Sequence, residues 1–110
     1  MVTDMMSLAQ FQDELRRIAR FDLSEPIANP LSAAVQKITD NPALGQARLL
    51  GRLLKALPCQ RGEFRRADAS AFDMATLRLV IALMNAACTG KYTHVEWLEA
   101  ITAADAATSR

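Results

Sequence analysis

One histidine, one tryptophan, one tyrosine and two cysteines are nearly all the conventional site chemistry in this 110-residue chain. With His94 as the only imidazole, a zinc site would have to recruit Cys59, Cys88 and a carboxylate at spacings that match no zinc motif. The two cysteines stand 29 positions apart and form no C-x-x-C pair, so the expectation is two reduced, partly buried thiols. Four unclustered glycines cannot make a phosphate cradle, and no nucleotide-binding, metalloprotease or serine-hydrolase signature is present. The opening "MVTDMMSLAQFQDELRR" sets an acid before any base and has no continuous apolar stretch, so no secretory signal is expected. No apolar run approaches the ~20 residues of a membrane span. The expectation is a cytoplasmic protein with no cofactor, no metal, no catalytic residues and no membrane partner.

Aromatic residues make up only 5 % of the chain although 51 % is hydrophobic, so Leu, Ile, Val and Met must fill the core and Ala must favour helix. The periodicity predicts an all-α fold: one domain over 1–110, a compact bundle of five or six short helices around a central apolar helix at about 74–89. Leu8, Phe11, Leu15 and Ile18 mark a first helix from Asp4 to Phe21, with Asp13 and Arg17 paired on its polar side. Residues 1–22 are set apart by the proline-bearing "DLSEPIANP" as a loosely attached helix, and 106–110 as a frayed end. Asn29-Pro30 and Asn41-Pro42 share one grammar, an amide cap followed by a proline whose missing N–H is not needed. They predict a second helix from Pro30 to Thr39 and a third from Pro42 to Leu57, stopped by Pro58. Gly51 in the third helix suggests a close crossing by another helix. Gly62 is read as a loop turn, Asp68 as the cap of a short helical turn reaching Phe72, Asp73 as the cap of the central helix and Gly90 as its left-handed end.

The stretch "GKYTHVEWLEAI" gathers the histidine, tryptophan and tyrosine, yet it reads as a helix start. Thr93 and Glu96 stand in capping-box register, and Tyr92 and Trp97 occupy the two positions of a hydrophobic staple. His94 then falls on the first turn, beside Leu98.

Charge placement is the unusual feature. Residues 48–66 hold Arg48, Arg52, Lys55, Arg61, Arg65 and Arg66 against the single acid Glu63, a net +5 in a molecule of net +1. Three of these bases line one side of the third helix, opposite Leu49, Leu50, Leu53, Leu54 and Leu57, and three lie in the loop after it. Such a face suits an acidic protein partner, or the acidic surface of a second copy. Nucleic acid is the alternative, weakened because no exposed aromatic interleaves with the bases, Phe64 being the only ring nearby and read as core. A purely solvated face is the plainest reading. The favoured function is a small non-enzymatic interaction or accessory module that uses this basic face.

Taken together, "ARLLGRLLKAL", "EFRRADASAFD", "LRLVIALMNAA" and "HVEWLEA" resemble a group of short proteobacterial proteins of unknown function, associated with plasmids and integrated mobile elements. The resemblance covers roughly residues 46–99. Phe72-Asp73 stands where that group has Leu-Asp, and Pro-Cys-Gln-Arg-Gly where it has an Asn-Gly turn. It implies no known activity and carries no functional residues.

Overall fold

A computed structural model describes residues 5–20 and 27–108. Among them the order is β1 (Met5–Ser7), α1 (Leu8–Ala19), α2 (Pro30–Asp40), α3 (Gly45–Cys59), β2 (Glu63–Arg65), a 3-10 turn (Arg66–Ser70), α4 (Met74–Thr89) and α5 (His94–Thr108). The fold is all-α, as the periodicity predicts, with one small addition. Asp4 and Phe21, the expected bounds of the first helix, most of the proline-bearing loop after it, and the last two residues of the chain lie outside the described residues.

α1 starts later than the periodicity predicts because Ser7 and Gln10 form a capping box. Ser7 Oγ accepts the Gln10 N–H at 3.3 Å, and Gln10 Oε1 accepts the Ser7 N–H at 3.0 Å. This S-x-x-Q box fixes the first turn at Leu8 and leaves Met5–Ser7 extended. Those three residues pair antiparallel with Glu63–Arg65, Met6 opposite Phe64, and both of these side chains face inward. Phe64 stacks on Phe11 with ring centroids 4.4 Å apart and planes 8° off parallel. Phe11 and Leu15 are fully buried, so α1 is seated in the core rather than loosely attached. Ile18, expected inward, is exposed, and Arg17 pairs with Glu14 rather than Asp13.

The second helix matches expectation: Asn29 Oδ1 accepts the Ser32 N–H at 3.3 Å, and Leu31, Ala34 and Ile38 are buried. The third does not begin at Pro42. Asn41 closes α2 by donating its N–H to the Lys37 carbonyl, and its own carbonyl accepts the Leu44 N–H in a turn through Pro42 and Ala43. Committed to ending one helix, Asn41 does not cap the next, and α3 starts at Gly45 without a side-chain cap. Pro58 does not stop it either. It sits in the last turn, where one missing donor is tolerable, and the helix ends at Cys59 with Gln60 left-handed at φ 55°.

Gly51 is not a crossing point; a Cβ built there meets nothing within 4 Å. Gly62 is the constrained glycine. At φ 142° its Cβ would come within 3.2 Å of Ala56 Cβ and 3.3 Å of the Phe64 ring. Asp68 does not open the following turn; it is the third residue within it and accepts the Arg65 N–H at 3.0 Å.

α4 has the predicted bounds, cap and glycine end, and packs against α1, α2 and α3. Asp73 Oδ1 accepts the Thr76 N–H at 2.8 Å, while Gln46 of α3 bonds both the Asp73 carboxylate and its N–H. The Thr76 hydroxyl is fully buried and closes no hydrogen bond, although it faces the same carboxylate. α5 packs on α2 and α3 and remains helical through residues 106–108, with Ala107 buried. The capping box between Thr93 and Glu96 is present in both directions, and Tyr92 meets Trp97 edge-on at 5.9 Å. The Tyr92 hydroxyl does more than the staple requires. It accepts the Leu31 N–H at 3.3 Å and donates to Asn29 Oδ1 at 2.7 Å, tying the start of α5 to the start of α2. The buried side chains form one continuous cluster.

Gly51→Ala should stabilise the fold by about 0.5–1 kcal/mol, since only helix propensity changes, whereas Gly62→Ala should destabilise it by about 1–3 kcal/mol; urea midpoints measure both. Tyr92→Phe should cost about 1–2 kcal/mol by leaving two capping partners unmade. The Thr76 N–H foremost, then the Gln46 amide, hold the Asp73 carboxyl below its ordinary value of 3.8, aided by the charge of Lys37. The folded chain therefore binds that proton less tightly than the unfolded chain. The resulting stabilisation is fully present above about pH 4 and is lost as pH falls through the lower folded value. Asp73→Asn should remove this component from a plot of urea midpoint against pH.

Candidate functional site

Arg48, Arg52 and Lys55 lie at four- and three-residue spacing on the exposed side of α3, as the helical period requires. The turn at Gly62 then folds β2 back alongside them. A shallow hollow of about 240 Å³ results, rimmed by Arg52, Lys55 and Arg61 and lined by Ala56, Gly62 and Phe64. A second, of about 140 Å³, lies between α3 and the end of α5, where Arg48, Gly51 and Lys55 face Asp105 and Thr108. Four of the six bases singled out in the sequence thus stand around two adjoining hollows. Arg65 points outward from the ribbon opposite Met5. Arg66, on the 3-10 turn, comes close enough to Glu14 for its charge to act there.

The bases differ in what already holds them. Arg52 Nη2 donates to the Glu63 carbonyl at 2.8 Å, and its guanidinium lies 5.1 Å from the centre of the Phe64 ring and 3.8 Å from the Asp68 carboxylate. The Glu63 carbonyl and the Arg65 N–H are outward backbone groups of β2, and Arg52 and Asp68 bond one each at the edge of the ribbon. Lys55 Nζ is 2.9 Å from Asp105 of α5. Both partners are about half exposed, so that pair contributes little stability. Glu14 titrates below its usual range, chiefly through the Arg17 hydrogen bond; slight desolvation opposes this and the charges of Arg17 and Arg66 add to it. Arg48, Arg61 and Arg65 form no ion pair with the described residues.

The acids that temper the face are the residues sequence reasoning missed. Asp105 is fifty positions from Lys55 in the chain, and only the docking of α5 on α3 brings them together. Asp68 carried a readable signal, three residues after Arg65, but it pointed to a helix cap rather than to a partner for Arg52.

The other candidate chemistry is dispersed. Cys59 and Cys88 are both exposed, not partly buried, because each sits on the last turn of its helix; Cys59 Sγ contacts the Lys55 carbonyl at 3.4 Å. His94 and Arg78 are exposed as well, so no buried polar cavity gathers the imidazole with Cys59 or Arg78. Among the described residues no three His, Cys, Asp or Glu side chains are grouped to hold a metal, and no helix is long and apolar enough to cross a membrane. No family model, curated protein or solved structure matches the chain.

The basic residues should therefore separate on mutation. Arg52→Gln should lower stability by about 1–2 kcal/mol through the lost carbonyl bond and ring contact. Arg48→Gln and Arg61→Gln should stay within about 0.5 kcal/mol of the parent chain. Thermal melts of the three variants distinguish these outcomes.

Proposed function

We propose that the chain is a non-enzymatic interaction module that binds an acidic protein surface through the face built by residues 48–66. The observation that carries this is the difference among the bases: Arg52 is held by its own fold, while Arg48 and Arg61 stand on the rims of two adjoining hollows with no acid among the described residues paired to them. Arginine at such a rim presents a planar donor fork that suits carboxylates. The face is not uniformly basic, since Glu63, Asp68 and Asp105 interrupt it. A mosaic of both signs fits protein side chains better than a continuous run of phosphates. The resemblance to short proteins of plasmids and mobile elements extends this reading to an accessory protein of such an element, working in the cytoplasm.

A fluorescent helical peptide carrying Glu at three- and four-residue spacing should bind the intact chain at low salt. Arg48→Glu/Arg61→Glu should weaken that binding at least tenfold with an unchanged thermal midpoint. No binding, equal binding by the variant, or preference for mixed-sequence RNA or DNA with a steep salt dependence would overturn the proposal.

A further inference from the structure

The face that would receive the basic ridge is present on the same molecule. α5 carries Glu96, Glu99 and Asp105 and no lysine or arginine, while α3 carries Arg48, Arg52 and Lys55 and no acid. α5 packs on both α2 and α3, so it has two flanks. Its α3 flank holds the Lys55–Asp105 pair. Its α2 flank opens into a groove of about 360 Å³, with Glu96 and Glu99 on one wall, Val35 and Gln36 on the other, and Tyr92 and Ala100 among its lining. The Glu96 carboxylate accepts the Thr93 N–H, while the Glu96 N–H donates to the Thr93 hydroxyl, and neither Glu96 nor Glu99 has an ion pair with the described residues. Lys91 lies near Tyr92 but donates to the Ala28 carbonyl at 2.6 Å rather than to either carboxylate. Two carboxylates beside Val35, Tyr92 and Ala100 suit a long cationic side chain, whose stem can lie on these apolar groups while its head meets the acids.

We infer that this groove takes the basic ridge of a second copy of the chain, so that copies associate head to tail. The inference rests on the proposed reading of the ridge as an acid-binding surface, and it names the surface bound. Arg48 and Arg61 of one copy meet Glu99 and Glu96 of the next. The two surfaces lie on opposite flanks of α5 and cannot meet within one molecule. A symmetric dimer through either surface would set like charges against each other. A head-to-tail contact instead pairs opposite charges and leaves a free ridge and a free groove at its two ends, so it can repeat.

Sedimentation velocity of the full chain, from micromolar to millimolar, should show a mass that rises past the dimer at low salt and returns to monomer at high salt. Arg48→Glu/Arg61→Glu and Glu99→Lys should each be monomeric alone. Mixed, they should associate, because one retains the groove and the other retains the ridge. Arg48→Gln/Arg61→Gln and Glu99→Gln, which remove charge without reversing it, serve the same comparison should a reversal disturb folding. A wild-type chain that stays monomeric throughout, or a ridge variant that associates like wild type, would overturn the inference. Peptide binding by a strictly monomeric chain would sink this inference alone; loss of both peptide binding and association would sink the reading of the ridge as well.

Discussion

Every short helix leaves N–H groups at its start with no partner inside the helix, and this fold must satisfy that demand repeatedly within a small volume. The solutions are shared between elements. Asn29 caps its own helix and accepts from Tyr92, and the Tyr92 hydroxyl in turn accepts the Leu31 N–H. Gln46, in the first turn of α3, which has no side-chain cap, serves the cap of α4 instead. The helix starts are therefore joined in pairs, α2 to α5 and α3 to α4. The polar side chains that end the elements also fix how the elements sit against one another.

The same demand reaches the basic face. β2 has its own outward backbone groups, and Arg52 and Asp68 bond two of them. Arg52 looks like one member of a stripe on a helical wheel, yet its guanidinium is fixed by a carbonyl, a carboxylate and a ring. One turn away on either side, Arg48 has no ion pair with the described residues, while Lys55 is paired with Asp105. The functional reading thus turns on which bases the fold has already engaged, and a count of charges does not give that.

Local rules were legible where one residue type meets one local demand. The Asn29, Asp73 and Thr93 caps and the Gly90 end all lie where their sequence grammar placed them, because each is decided within a few residues. Misreadings arose where two demands compete for one group. Asn41 could cap α3 or close α2, and it closes α2. Asp68 could open a turn or hold the edge of β2, and it lies inside the turn holding that edge. The ribbon of Met5–Ser7 with Glu63–Arg65 was not legible, since three residues are too few for alternation to stand out and its partner lies nearly sixty residues away.

The sequence by itself determined the helical class, most helix positions, the chemistry available and the clustering of positive charge. Periodicity, capping and composition act over one or two turns, and their physics is complete within a short stretch of chain. The tertiary structure alone decided that Lys55 meets Asp105, that Arg52 rests over Phe64, that both thiols face solvent, and that an acidic groove opens on the flank of α5 away from the basic ridge. Those relations depend on which helix faces pack together, and that is set by burial of one shared core rather than by any segment read alone.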